Sequence, residues 1–135
     1  MPADNGVIKD GGERALVPPF TDEHAELRET IARWVRTEIA PHVDEWECER
    51  EFPRELYPRA GELGFLGLKY PVELGGEGGD CVHDAVWAEE LAAAGASGGV
   101  GAGLGAHTGI ATPPVFGFGT QTSTSGTCAR RSAVG

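Results

Sequence analysis

The chain has 135 residues and carries a formal net charge of −10 at pH 7, with 21 acidic and 11 basic side chains. This length accommodates one domain with its own hydrophobic core, and the acidic balance argues against a nucleic-acid partner because phosphate groups repel a negative surface. No apolar run approaches the ~20 residues that a membrane-spanning helix requires, so we expect no membrane partner.

The first predicted helix begins near Thr21 and ends near Ala40. Residues 1–19 contain several glycines and prolines without apolar periodicity, which indicates a flexible leader. Thr21 is a suitable N-cap, and acidic residues follow it at the positive end of the helix dipole. Pro41 is expected to kink or end the helix, and Trp46 to cover the core beyond the bend. Apolar residues at helical spacing predict one buried stripe: Leu27, Ile31, Trp34, Val35 and Ile39.

A second, shorter helix is predicted over Arg54–Leu63. Pro58 lies inside it, where proline removes a backbone hydrogen bond at a cost of ~3 kcal/mol, so we expect a short or late-starting helix. Gly64 and Gly67 suit a left-handed helix exit. Pro71 favours an extended conformation for the residue before it, so a short extended run is predicted next.

A glycine loop that can lie very close to another surface precedes the third predicted helix, Cys81–Ala94. Its glycines are Gly75, Gly76, Gly78 and Gly79. Asp80 is a suitable N-cap for the helix. Glu89 and Glu90 are adjacent carboxylates, for which acid–base catalysis is the functional interpretation. Neighbours on a helix point about 100° apart and should not share one site, so we favour a solvated or salt-bridged helix edge.

The segment Gly98–Phe118 is predicted to be helical only in part, because each glycine inside a helix costs about 0.8–1.0 kcal/mol relative to alanine. Its G-x-G-x-x-A spacing is also found in dinucleotide-binding motifs, but those require a preceding strand, and a helix precedes it here. The small residues indicate either close helix packing or a cavity beside the helix. His107 has no metal-spaced partner among His24, His42 and His83, so no metal site is expected.

The cysteines are odd in number and scattered: Cys48, Cys81 and Cys128. This usage indicates reduced thiols rather than a disulfide framework or a zinc site. The N-terminus lacks the basic-then-apolar pattern of a signal peptide, and its acidity argues against a transit peptide. We therefore expect a cytoplasmic location.

Three stretches of the chain, in the same order, resemble one family. The N-terminal domain of flavin-dependent acyl-CoA dehydrogenases is similar to LGFLGLKYPVELGGEGGD and the AEELA that follows. The first helix of that domain resembles FTDEHAELRETIARWVRTEIAPHVDEWE, and its fourth helix resembles GAHTGIATPPVFGFGT. The resemblance covers residues 20–120 and implies an all-α fold, a partial helical bundle like that N-terminal domain. The side chains expected to be substantially buried are Ile31, Trp34, Leu63, Leu66, Val86 and Leu91.

The resemblance also implies a reaction class. Members of the family are homo-oligomeric oxidoreductases of fatty acid metabolism that use FAD for α,β-dehydrogenation of acyl-CoA thioesters. Their catalytic glutamate lies in the C-terminal domain, and most flavin contacts come from the middle and C-terminal domains. We therefore expect no catalytic or cofactor-binding residue in this chain, and no FAD retained by it alone. The fourth helix of the family lines the end of the acyl-chain pocket, which makes Ala102, Gly103 and Ala106 candidate substrate-binding residues.

The tail, residues 121–135, departs from the family pattern. Family members continue into an acidic–basic helix, whereas QTSTSGTCARRSAVG lacks a helical apolar period. Suitable synonymous codons would place a family-like sequence in another reading frame just after Thr120, so we hypothesise a frameshift. The implied function is an N-terminal fragment of an acyl-CoA dehydrogenase that is inactive alone. The alternative is a free-standing helical protein-interaction module without enzymatic activity.

Overall fold

The computed structural model describes residues 18–96 and 98–120, and within these ranges every regular element is helical, as expected for an all-α fold. The predicted leader, apart from residues 18 and 19, and the predicted tail lie outside the described residues. The α-helices are α1 (Asp22–Trp34), α2 (Val43–Glu49), α3 (Leu56–Glu62), α4 (Cys81–Ala93), α5 (Gly98–Ala106) and α6 (Thr112–Phe118).

α1 begins where the sequence predicts and passes into a second helix without a loop. Thr21 is its N-cap, and the Thr21 carbonyl accepts the Ala25 amide at 3.1 Å. After α1 the chain continues through a π turn, Val35–Ile39, and a 3₁₀ turn, Ala40–His42, into α2. Pro41 lies in the 3₁₀ turn, where it interrupts the regular α-helix.

The start of α3 explains how Pro58 is tolerated. The helix begins at Leu56, two residues later than predicted, so Pro58 falls in the first turn. Amides of the first turn have no intrahelical acceptor, and proline therefore removes no hydrogen bond there. The chain then leaves α3 through Gly64, whose φ of +82° confirms the predicted left-handed exit. Gly67, by contrast, ends a 3₁₀ turn over Phe65–Gly67.

One residue predicted for the core lies partly outside it. Leu63 is 36% exposed, because it ends α3 and the left-handed turn at Gly64 redirects the chain. Phe65 and Leu66, which follow the turn, enter the core in its place, at 2% and 7% exposure. The other predicted core residues are buried: Ile31, Trp34, Leu66, Val86 and Leu91.

The glycine loop lies against the segment that precedes it. The amides of Glu77, Gly78 and Gly79 donate hydrogen bonds of 3.0, 2.8 and 2.7 Å to carbonyls of that segment. A Cβ atom at Gly76 would lie 2.1 Å from the Tyr70 carbonyl oxygen, so only glycine permits this approach. The extended run predicted before the loop is limited to the residues just before a third 3₁₀ turn, Val72–Leu74.

The core lies where α1 packs against α4, with α5 closing one side. The Trp34 ring lies 5.4 Å from Phe65 and 6.2 Å from Trp87, measured between ring centroids. On the inner face of α5, Val100 is 1% exposed and Leu104 is 0% exposed. This burial offsets the poor intrinsic helix preference of the glycine-rich segment, which is more helical than predicted because α5 continues through a π turn into α6.

Candidate functional site

The residues predicted to line an acyl pocket all lie on α5. Ala102 is exposed, whereas Gly103 and Ala106 are partly exposed. A Cβ atom at Gly103 would lie 2.7 Å from Cζ of Phe52 and 3.0 Å from the Tyr57 hydroxyl, so the missing side chain makes room for two aromatic rings. Of the two interpretations left open by the sequence, Gly103 therefore fits close packing.

An aromatic group continues this face. The ring of Tyr57 lies 5.9 Å from that of Phe52 and 5.8 Å from that of His107, between centroids. A cleft of about 480 Å³ borders Phe52 on the side of the α2–α3 connection, but its lining includes none of the predicted acyl-binding residues. Glu49, Glu51 and Glu55 line this cleft. These three carboxylates outnumber the single basic side chain of the lining, Arg54, so the cleft disfavours an anionic thioester.

Glu89 and Glu90 both bind one arginine, contrary to the expectation that they would not share a site. Arg28 Nη2 lies 2.5 Å from Glu89 Oε2, and Arg28 Nη1 lies 2.8 Å from Glu90 Oε1. The two arms of a guanidinium span the angle between neighbouring side chains of a helix. The preferred interpretation, a salt-bridged helix edge, is therefore correct, and the contact joins α1 to α4.

The electrostatics of Arg28 fit a structural contact. Burial alone would lower the pKa of Arg28, but hydrogen bonds to Glu90 and then Glu89 raise it above its ordinary value. Glu90 is buried, with 8% of its side chain exposed, whereas Glu89 is 57% exposed. The Arg28 guanidinium also lies 4.9 Å from the centre of the Phe20 ring. Because the Arg28 guanidinium binds both carboxylates, acid–base catalysis by Glu89 and Glu90 is unfavourable.

A second polar cluster, which the sequence interpretation missed, joins the beginnings of α1 and α4. His24 and His83 each occupy the third position of their helix, and their ring centroids are 4.4 Å apart. His83 Nδ1 lies 3.0 Å from Asp80 Oδ1, and His83 Nε2 lies 3.4 Å from Glu23 Oε1. One donor atom each from His24, Asp80 and His83 lies within 4.8 Å of the others.

The local sequence contains a signal for this cluster. Each histidine stands three residues after an N-cap, in T-D-E-H and in D-C-V-H, and each accepts the N-cap amide at Nδ1 at 3.1 Å. Burial alone would lower the pKa of His83, but hydrogen bonds to Asp80 and Glu23 raise it. The side-chain contact with His83 and the amide of Val82, in turn, lower the pKa of Asp80. Only the packing of α1 on α4 brings the two motifs together.

Apolar side chains are exposed on the segment that follows α5. Ile110 is 73% exposed, Phe116 43% and Phe118 94%. Isolated apolar residues are ordinary on protein surfaces, but a group within one short segment is typical of a contact surface. Among the described residues, no helix combines the length and the apolar character needed to cross a bilayer.

Comparison with known proteins identifies the domain. Residues 21–125 match the family described as the acyl-CoA dehydrogenase N-terminal domain. The chain belongs to the acyl-CoA dehydrogenase family. The match covers α1 to α6 and continues beyond Thr120. It confirms the resemblance carried by the glycine loop and its flanking helices.

Relatives within the acyl-CoA dehydrogenase family are longer than this chain. The chain is 35% identical over 102 residues to the probable acyl-CoA dehydrogenase YngJ of Bacillus subtilis (strain 168), covering 76% of this chain and 26% of that protein. It is 35% identical over 102 residues to the mitochondrial long-chain specific acyl-CoA dehydrogenase of Rattus norvegicus, covering 76% and 23%. The chain therefore spans about a quarter of the length of these relatives.

A solved structure agrees with this assignment. The crystal structure of the acyl-CoA dehydrogenase from Geobacillus kaustophilus superposes with a TM-score of 0.74 at 27% sequence identity. The superposition covers 86% of this chain and 30% of that one. The fold is thus that of the N-terminal domain of an acyl-CoA dehydrogenase, an oxidoreductase family that uses FAD in fatty acid metabolism.

Proposed function

We propose that this domain forms one wall of the acyl-CoA site in a FAD-dependent acyl-CoA dehydrogenase, and that the 135-residue chain alone is inactive. The observation that carries the proposal is the exposed apolar group at Ile110, Phe116 and Phe118. In a dehydrogenase, the middle and C-terminal domains would cover these side chains. The same domains would supply the flavin contacts and the catalytic base.

The substrate in this proposal is an acyl-CoA thioester, and Ala102, Gly103 and Ala106 lie toward the end of its acyl chain. Support comes from their position on α5 and from the small size of the Ala102 and Ala106 side chains. Because Gly103 packs closely against Phe52, we assign this role to Ala102 and Ala106 alone.

Flavin content and turnover of the purified chain test the proposal. We expect no flavin absorbance after incubation with FAD and gel filtration, and no reduction of an artificial electron acceptor with short-, medium- or long-chain acyl-CoA. The physical reason is that this domain lacks the flavin contacts and base that the family places in other domains. Stoichiometric FAD on the chain, or turnover above a heat-inactivated control, would contradict it.

Two further properties belong to the same proposal. We infer a homo-oligomeric parent enzyme, as is general in the family, and a cytoplasmic location, supported by scattered cysteines and an acidic N-terminus. Size-exclusion chromatography with light scattering would test the first for any polypeptide that carries all three domains. Localisation of a tagged chain would test the second.

We also propose that residues 121–135 are read in a shifted frame. The support is the contrast between this tail and the acidic–basic helix expected after Thr120. The coding DNA decides the matter directly. AGY codons at Ser123 and Ser125, with a family-like sequence in the alternative frame, are the expected result, and TCN codons at both positions would contradict it.

A free-standing interaction module is the second candidate function. The observation in its favour is that residues of α1, α4 and α5 form a core without help from another domain, as at Ile31, Val86 and Leu104, each 0% exposed. A monodisperse chain with uniformly slow hydrogen exchange would support this second function.

A further inference from the structure

We propose that His83 is a pH-sensitive link between the beginnings of α1 and α4. Its neutral ring completes the N-cap of α4. Its protonated ring binds two carboxylates, that of Asp80 at the start of α4 and that of Glu23 in the first turn of α1. The contact between the two helices is therefore stronger when the ring carries a second proton.

The first ring nitrogen of His83 faces both a hydrogen-bond donor and an acceptor. The Asp80 amide nitrogen lies 3.1 Å from Nδ1, and Asp80 Oδ1 lies 3.0 Å from it. A neutral ring with its proton on Nε2 accepts the amide, but the Nδ1 lone pair then faces the lone pairs of the carboxylate. A proton on Nδ1 reverses both relations, because the ring releases the amide and donates to Oδ1.

The N-cap of α4 is retained in both protonation states. Asp80 Oδ1 accepts the Val82 amide at 2.9 Å, and a carboxylate oxygen has a second lone pair for the imidazolium. Protonation of His83 therefore gives up only the reciprocal half of the capping box, in which the ring accepts the Asp80 amide. The helix start can exchange one hydrogen bond for another without unwinding.

The second ring nitrogen reaches from α4 to α1. His83 Nε2 lies 3.4 Å from Glu23 Oε1 and carries a proton in both states. A positive charge on the ring turns this contact into an ion pair, which is stronger than a neutral hydrogen bond. The His83 side chain is 13% exposed and that of Glu23 is 78% exposed. Solvent screens part of the attraction, so we expect a modest effect on stability.

Opposing contributions act on the charge of His83. Burial of the ring lowers its pKa, but the contacts with Asp80 and then Glu23 raise it above the ordinary value. The N-terminal end of α4 carries partial positive charge and also disfavours an imidazolium. The two carboxylates, one on each side of the ring, oppose both effects.

The other titratable and charged neighbours allow a single proton on His83. His24 faces the ring from α1, with the centroids 4.4 Å apart, and this contact becomes repulsive only if both imidazoles are charged. Lys69, on the segment before α4, is paired with Asp84 at 2.6 Å, so its charge is balanced locally. Asp22 adds a further acidic group to the first turn of α1.

A glutamine substitution separates the two states of His83. H83Q keeps a side chain that is suited to the third position of a capping box, but this side chain cannot take up a proton. A raised folded-state pKa stabilises the fold below the ordinary value of 6.5, and the contribution is lost as the pH rises through the folded-state pKa. Thermal midpoints of the full parent chain and H83Q should therefore be similar at about pH 8.5, and the parent should be higher at about pH 6.

The control for this comparison is H42Q, which removes a histidine that is 52% exposed and lies before α2. The H42Q midpoint should follow that of the parent across the same pH range. A difference between the parent and H83Q that is equal at both pH values would overturn the proposal.

Ring NMR signals of His83 give a second, structural readout. Long-range ¹H–¹⁵N spectra should show a proton on Nε2 alone at about pH 8.5 and protons on both nitrogens at about pH 6. E23Q should lower the titration midpoint of His83, whereas E29Q, at another exposed glutamate of α1, should leave it unchanged. A parent midpoint at or below 6.5, or equal midpoints in the parent and E23Q, would overturn the proposal.

Discussion

Arg28 is the side chain on which the polar contact between α1 and α4 depends. It contacts two carboxylates that lie about sixty residues away along the chain, and one of them, Glu90, is buried. A buried carboxylate that loses its cation is left with an uncompensated charge. Removing Arg28 therefore removes both ion pairs, and the loss of the pair with the buried Glu90 side chain should cost more than the loss of the pair with Glu89.

Substitution of Arg28 should be far more damaging than substitution of its exposed partner. We expect R28M to lower the free energy of unfolding by ~3 kcal/mol, because it breaks an ion pair with a carboxylate that is 8% exposed. E89Q should cost less than ~1 kcal/mol, because Glu89 is solvated. Urea denaturation followed by tryptophan fluorescence measures both. Equal losses in R28M and E89Q would contradict this account.

A double variant separates charge burial from packing. R28M/E90L removes both ends of the buried ion pair and puts an apolar side chain at position 90. We expect it to be more stable than R28M alone in the same urea titration. If the double variant were less stable than R28M, packing by the Glu90 side chain would be the dominant effect.

Glu38 gives a stability contribution that depends on pH. Arg59 Nη2 and Nε donate to its carboxylate at 3.0 and 3.2 Å, and these hydrogen bonds hold the pKa of Glu38 below its ordinary value. Because its pKa is lower in the folded state, Glu38 stabilises the fold at pH values above its ordinary pKa of ~4.3. This contribution is lost as the pH falls through the folded-state pKa.

The pH profile of E38Q tests this assignment. Both side chains are more than a third exposed, so the contribution is small. The thermal midpoint of the parent chain should exceed that of E38Q near neutral pH, and the two should converge below about pH 4. A difference that persists unchanged into acid would show that ionisation of Glu38 is not its source.

At the scale of elements, local sequence patterns predicted the helix caps and the turns, but they did not predict the contacts between distant elements. Thr21, Asp80 and Gly64 act through atoms a few residues away, so their roles follow from residue type and position. The meeting of His24 with His83 depends on how α1 packs on α4, which no local pattern records. The prediction that Leu63 is buried was wrong because the apolar character of a residue does not reveal the direction in which the chain turns at Gly64.

The segment Gly98–Phe118 shows tertiary packing overriding local propensity. Its glycines predicted only partial helix, yet α5, a π turn and α6 run through it continuously. Val100 and Leu104 bury fully on one side, and that burial compensates for the glycines. For the candidate acyl site, the sequence located the helix, but it did not reveal that Phe52 and Tyr57 fill the space beside Gly103.

Two glycine-to-alanine substitutions should have opposite effects. G76A places a Cβ atom 2.1 Å from the Tyr70 carbonyl oxygen, and we expect a loss of about 3 kcal/mol in the free energy of unfolding. G105A, inside α5 with no atom within 4 Å of its Cβ, should gain about 0.5–1 kcal/mol. Thermal and urea unfolding measure both changes. A neutral G76A would mean that the loop does not need its close approach.

At the scale of the whole molecule, the described residues combine a packed core with apolar side chains that are exposed on the segment after α5. α1 and α4 surround the aromatic core, whereas Ile110, Phe116 and Phe118 face solvent. Apolar surface contributes about 25 cal/mol per Å² when buried, so a few hundred Å² left exposed removes several kcal/mol from a domain stable by ~5–15 kcal/mol. If other domains cover these side chains in a dehydrogenase, as we propose, the isolated chain should be less stable at these residues.

Hydrogen exchange on the isolated 135-residue chain measures this difference most directly. We predict slow exchange for the amides of α1 and α4, and faster exchange from His107 through α6, where several apolar side chains are exposed. This gradient is the signature of an acyl-CoA dehydrogenase domain that other domains complete. Slow, uniform protection that extends through Ile110 to Val115 would contradict it and would indicate an independently stable helical module.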